Sequence, residues 1–189
     1  MINHAEIVER YRGAFTQLNA FLYVNNRNED RLLLDWWITL QETNDIERLL
    51  TPDTYRLPAF YNLFAPPTVL IYSLSPQGNI DNAIWITPVD NTSKHRAGYL
   101  GLWCAPNIRG TRRQYNFART AYSFAFEFID AIIGLTWQPA ILDTHTKMGY
   151  KIVGTLPNLY DKPIVFMVHL TKADFFSSRF YLVGERRQK

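Results

Sequence analysis

Between Arg112 and Ile133 the chain carries a helical pattern that leaves little freedom in what surrounds it. Its polar residues, Asn116, Thr120, Ser123, Glu127 and Asp130, return as one narrow stripe at helical spacing. Phe117, Ala121, Tyr122, Phe124, Phe126, Phe128, Ile129 and Ile132 fill most of the remainder. A helix so apolar must be covered on most of its sides, as one lying against a sheet and beneath other elements would be. Gly134 is expected to stop it.

Covering elements are legible on both sides of that segment. Residues 5–22 read as an amphipathic helix, with Val8, Tyr11, Phe15, Leu18 and Leu22 at helical spacing and Glu6, Glu9, Arg10 and Gln17 on other faces. Asn25–Asn28 breaks it, and Asn28 or its neighbour caps a second helix through Leu32, Trp36, Trp37 and Leu40. One of the two indoles is expected to pack that helix onto a sheet, leaving the other for a partner interface. Asp45 starts a third, short turn. Pro52, Pro58 and Pro66-Pro67 then punctuate a long, irregular, aromatic connection.

After Pro67 the texture becomes that of strands: Thr68–Leu74, a turn at Ser75–Asn79, Ala83–Thr87, a polar loop at Val89–Arg96, and Gly98–Ala105. Consecutive strands with short polar links make an antiparallel meander. Beyond the long helix come a short strand at Leu135–Trp137, a brief helix at Pro139–Met148, and strands at Tyr150–Leu156 and Pro163–Leu170. Ile164–Val168 shows no alternation, which predicts a central strand buried on both faces. The expected class is α+β (α/β), a mixed, mostly antiparallel central sheet flanked by helices. Residues 1–66 form the N-terminal helical part of that domain, 67–175 the sheet region, and 176–189 a basic C-terminal tail.

A chain of 189 residues that is 47% hydrophobic and 15% aromatic can bury a sizeable core and is not a disordered composition. No apolar run approaches the roughly 18 residues that would suggest a membrane span. The start lacks a basic stretch followed by an apolar one, so no secretory signal is expected. Cys104 is the only cysteine, which excludes an intramolecular disulfide and a cysteine-built zinc site. Four scattered histidines without ligand spacing point to no metal, and His4 and His95 are expected to be exposed. A cytoplasmic, reducing setting follows as the expectation. Basic residues cluster at Arg109/Arg112/Arg113/Arg119 and Arg179/Arg186/Arg187/Lys189, yet the net charge is only +3. Nucleic acid ranks last among partners, because the nearby aromatics follow a core-facing pattern rather than a stacking platform.

Two local patterns carry more. The first is Cys104-Ala105-Pro106-Asn107-Ile108-Arg109-Gly110-Thr111-Arg112-Arg113-Gln114, where a strand hands over to the long helix. The second is His145-Thr146-Lys147-Met148-Gly149-Tyr150-Lys151-Ile152-Val153-Gly154. The first resembles the Pro-x-x-Arg-Gly-x-Gly-x-Gly segment of the GNAT superfamily of N-acetyltransferases, and the second is similar to that family's Tyr-x-x-x-Gly-Phe-x-x-x-Gly. The element order agrees with the same family, best over Ala97–Leu170.

The resemblance implies an acyl-CoA-dependent N-acyltransferase acting on an amine. Acetyl-CoA would lie against Cys104, Ala105, Ile108, Arg109, Gly110, Thr111, Arg112, Arg113 and Gln114. The free N–H groups and positive dipole end of a helix's first turn receive an anion such as a pyrophosphate. Arg109 and Gly110 match the family pattern, while Arg112 and Gln114 replace its second and third glycines. Arginines at the positive end of a helix are explained by a bound anion or by carboxylates of the chain or of a partner. Where the family often has a tyrosine general acid this sequence has His145, the one catalytic candidate. Gly98–Ala105 holds no acid, and Asp81 and Asp90 lie near strand ends, so no base is assigned. Cys104 reads as a small core residue rather than a nucleophile, and His169 as a strand histidine rather than a ligand. A second function class stays open: a non-catalytic GNAT-fold protein serving an assembly, such as a phage virion component.

Overall fold

The computed structural model describes residues 4–23, 27–90 and 96–186. The side chains of His4, Asn28, Asp90, His95, Arg186, Arg187 and Lys189 lie outside that description, so the expectations for them stand untouched. Two compact units emerge, Met1–Thr87 with Gly101–Phe124, and Pro88–Leu100 with Ala125–Lys189.

The first unit holds α1 (His4–Gln17), β1 (Ala20–Leu22), α2 (Arg27–Glu42), α3 (Ile46–Leu49), α4 (Leu57–Leu63) and β2 (Val69–Leu74). It also takes most of β3 (Ile80–Asp90), the end of β4 (Ala97–Cys104) and nearly all of α5 (Arg112–Ala125). The second unit continues with β5 (Ala131–Thr136), α6 (Pro139–Lys147), β6 (Lys151–Leu159), β7 (Lys162–Thr171), α7 (Lys172–Ser177) and α8 (Arg179–Arg186). The strands form one seven-stranded sheet in the order β1-β2-β3-β4-β5-β7-β6. Pairing is antiparallel for β1–β2, β2–β3, β5–β7 and β6–β7. β4 and β5 are parallel, in register from Ala97 opposite Ala131 to Tyr99 opposite Ile133. The expected class, a mostly antiparallel mixed sheet flanked by helices, is the one observed.

The core of the first unit gathers around Trp36 on α2. Its ring lies 5.3 Å from Phe60, 5.5 Å from Phe64 and 5.6 Å from Trp103 between centroids. Leu33, Leu40, Ile46, Leu70, Tyr72 and Trp85 belong to the same cluster. Each such side chain contributes on the order of 1.5–3 kcal/mol by leaving water, and an edge-to-face aromatic pair such as Trp36–Phe60 adds about 0.5–1.5 kcal/mol. Trp37, the neighbouring indole, is half-buried and donates to the carbonyl of Tyr55 at 3.1 Å rather than standing free. α5 buries Phe117, Ala121, Tyr122 and Phe124, and Phe124 meets Tyr11 and Phe15 of α1 at 5.4 and 5.3 Å.

Several expected boundaries are corrected. α1 ends at Gln17, not Leu22, because Asn19 adopts a left-handed φ of 50°. That conformation ends helices readily for asparagine. Asn19 then exchanges hydrogen bonds with Leu74, which starts β1 along β2. The proline-rich connection is not wholly irregular, since Pro58 stands in the first turn of α4, where its missing N–H costs nothing. β3 runs on to Asp90, through part of the expected polar loop.

The long helix stops at Ala125, well short of Ile133. The amides of Phe128 and Ile129 both close on the Ala125 carbonyl, and the Asp130 amide donates to Arg96 at 2.7 Å, drawing the chain into the sheet. Glu127 and Asp130 are therefore not helical, and Gly134 sits inside β5 rather than ending a helix. β7 is central in its pairing, but Ile164 is 50% exposed. It lies opposite Pro157 in the part of the β6–β7 hairpin that extends past the β5 register.

Candidate functional site

The turn from β4 into α5 belongs wholly to the first unit. Cys104 is buried, and burial pushes its thiol pKa up although Arg109 beside it pulls the other way. The Ala105 amide donates to the Asp81 carbonyl at 2.9 Å, and its own carbonyl receives the Ile108 amide at 3.1 Å. Pro106–Ile108 form one 3-10 turn. Gly110 follows with φ of 75°, a left-handed conformation that glycine adopts without steric cost, and nothing lies within 4 Å of the point where a Cβ would be.

The residues that open α5 cap it themselves. Thr111 Oγ1 donates to the Ile108 carbonyl at 2.6 Å and accepts from the Gln114 amide at 3.4 Å. The Gln114 side-chain oxygen reaches back and accepts from the Gly110 amide at 2.6 Å. Thr-x-x-Gln is the reciprocal pattern that satisfies orphan helix donors, here displaced by one residue at the glutamine end. Gln114 therefore occupies a backbone donor that the resemblance reserves for an anion.

The arginines divide. Arg109 lies 2.5 Å from the Asp45 carboxylate and also donates to the Cys104 carbonyl at 3.2 Å. Asp45 is 3% exposed and accepts from Trp103 Nε1 at 3.0 Å and Thr43 Oγ1 at 3.2 Å as well. Arg113 lies 2.7 Å from the Asp81 carboxylate and donates to the Leu74 carbonyl at 2.6 Å. Asp81 in turn receives Ser73 Oγ at 2.6 Å and Asn82 Nδ2 at 3.2 Å. Both guanidiniums thus spend charge on buried carboxylates, while Arg112 is exposed.

Sequence reasoning missed Asp45 as a ligand of Arg109, reading it only as the start of a short helix. It weighed Asp81 as a strand-end acid, but that carboxylate is fully engaged in binding Arg113, Ser73 and Asn82 and is not poised as a base. A buried polar network of this kind has no local signature, because its members come from segments far apart in the sequence.

His145 stands in the last turn of α6, in the second unit. Its ring lies on Tyr150, with centroids 4.5 Å apart and planes 30° from parallel. Nδ1 is buried without a hydrogen-bond partner. Burial pushes the imidazole pKa down to about 4. At pH 7 roughly one molecule in a thousand carries the second proton, so the ring is neutral and has no readily lost proton. His169 lies on β7 and is half-buried. Gly149 turns with φ of 98°, and a Cβ there would stand 2.7 Å from the Asp174 carbonyl.

Among the described residues there is no group of three or more His, Cys, Asp or Glu able to hold a metal. No described helix is long and apolar enough to cross a membrane.

No family model matches the sequence, and no curated protein matches it. Solved structures do. The spermidine N-acetyltransferase of Vibrio cholerae, in complex with CoA and spermine, superposes with a TM-score of 0.66 at 12% identity, over 84% of this chain and 99% of that one. The chain has the GNAT fold. RimJ of Mycobacterium smegmatis, in complex with CoA-disulfide, gives a TM-score of 0.64 at 13% identity over 89% and 90%. A GCN5-related N-acetyltransferase from Kribbella flavida gives 0.61 at 11% over 81% and 98%. At such identities the likeness to GNAT proteins is one of fold, and activity has to be argued from the residues.

Proposed function

We propose that this GNAT-fold chain is an acyl-CoA-dependent N-acyltransferase with weakened activity, acting on an amine. The observation that carries the reading is the β4-to-α5 turn. Gly110 is left-handed with open space where a Cβ would stand, and it leads into a 14-residue helix at the place where the GNAT pattern that this segment resembles implies a phosphate-accepting turn. When bound, acyl-CoA supplies the thioester acyl group that an amine takes. The chain's contribution would be the Gly110 and Thr111 region for the pyrophosphate, with exposed Arg112 neutralising charge beside it and Cys104, Ala105 and Ile108 lining the approach. Arg109 and Arg113 would hold the turn in shape through Asp45 and Asp81 rather than touch the phosphates. The fit is incomplete as folded, since Gln114 already holds the Gly110 amide. His145, the candidate acid, is neutral at pH 7 because burial lowers its pKa to about 4, which makes it a poor proton donor.

A second reading, a non-catalytic assembly component of GNAT fold such as a virion protein, is favoured by those same two features. It would place the chain in a virion, whereas the first places it in the cytoplasm. Titration of CoA and acetyl-CoA by calorimetry separates them. Binding in the micromolar to low-millimolar range supports the first, and no heat at millimolar ligand ends it. His145→Phe should lower turnover if the ring acts as acid, and unchanged turnover removes it from that role.

A further inference from the structure

We propose that Gln114 is an internal occupant of the α5 N-terminus that acyl-CoA must displace. The inference rests on the acyltransferase reading and concerns the regulation of that same turn.

A helix start presents amides with no partner inside the helix. In this chain two of the donors around that start are met by side chains of the next turn: Thr111 Oγ1 takes the Gln114 amide, and Gln114 Oε1 takes the Gly110 amide. The second bond is the short one, at 2.6 Å, and it runs from an exposed residue whose Cβ direction opens onto free space. An anion approaching the Gly110 amide finds that donor taken. It meets a neutral carbonyl oxygen already on the donor it needs. The GNAT pattern that this segment resembles has glycine at the Gln114 position, which provides no such oxygen.

The cost of displacement is set by one hydrogen bond that is exchanged rather than lost. Such an exchange amounts to a several-fold change in affinity, up to about tenfold. Gln114 would then tune the cofactor's grip without closing the site.

Calorimetry with CoA and with inorganic pyrophosphate, on the full chain and on Gln114→Gly, Gln114→Ala and Gln114→Glu, tests this. Thermal melts of the four proteins run alongside. Loss of the cap should lower the melting temperature of the Gly and Ala variants, while their CoA Kd falls several-fold. The Glu variant retains a capping oxygen and adds favourable charge at the helix start. It should melt above the Gly and Ala variants and bind CoA more weakly than the unaltered chain. A purely structural cap would lower the melting temperature and leave the Kd unchanged, which would overturn the proposal. If CoA binds the unaltered chain and the Ala variant equally, Gln114 is a cap only and the acyltransferase reading stands. If CoA binds none of the four, that reading fails and the occupant proposal falls with it. The Ala variant preserves helix propensity, so the comparison survives if the Gly variant folds poorly.

Discussion

The guanidinium of Arg109 and the carboxylate of Asp45 meet at 2.5 Å across 64 residues of sequence, tying the turn before α5 to the start of α3. Asp45 is the centre of that arrangement, since Trp103 and Thr43 also donate to it. Asp45→Ala leaves a buried indole N–H and a partly buried cation without their acceptor. A loss of about 2–4 kcal/mol is expected. Arg109→Ala should cost less, about 1–2 kcal/mol, because its side chain is 40% exposed and Asp45 retains its other donors. Urea unfolding midpoints of the two variants check the order.

Stability should depend on pH through His145. Its folded pKa of about 4 lies below the ordinary value of 6.5, so between those values the unfolded chain binds a proton that the folded chain refuses. Stability therefore falls as pH drops from 6.5 to about 4 and is unaffected by this group above 6.5. The full effect is about 3 kcal/mol. Asp174, whose carboxyl is held below its usual range by hydrogen bonds from Lys151 and Thr171, loses stabilisation on acidification too. The quantity to measure is thus the difference between the unaltered chain and His145→Phe, which should shrink steadily toward acid as the unaltered chain weakens faster.

The glycines of the two motifs should respond unequally to alanine. At Gly110 the new methyl meets open space, and only the left-handed φ is penalised, by about 1 kcal/mol. At Gly149 the methyl would stand 2.7 Å from a backbone carbonyl, in addition to a φ of 98°. About 2–4 kcal/mol is expected there. Thermal melts showing equal losses would contradict the assignment of different causes.

Gly101 admits the indole of Trp85: a Cβ at that position would lie 2.0 Å from the ring. Gly101→Ala should push the indole from its place at a cost of roughly 1–3 kcal/mol. The accompanying change in near-ultraviolet dichroism reports on the tryptophan cluster, and an unaltered spectrum would contradict the packing.

The elements with strong periodicity were legible from the sequence: α2, α6, the strands of the meander and the β6–β7 pair. Where reading failed, a long-range contact decided. Ala131-Ile132-Ile133-Gly134-Leu135 suits a buried helix or a buried strand equally, and the Asp130 amide on Arg96 settles which. β1 is too short to signal itself and exists because Asn19 and Leu74 pair. At the candidate site, the turn and its Arg-Gly pair were visible. The fate of the arginines was not, because like any charge they showed only their sign, and Asp45 and Asp81 become their partners through folding alone.

The two margins of the sheet have a bearing on how the protein behaves at high concentration. β1 offers only three paired residues. β6 is longer, but Val153 is an extra residue between Ile152 and Gly154, and Pro157 has no N–H to offer a partner. A passing chain seeking to add a strand would find one margin too short and the other kinked and short of a donor. The molecule thereby carries its own resistance to edge-to-edge aggregation, even with Ile152, Val153 and Ile164 turned toward water.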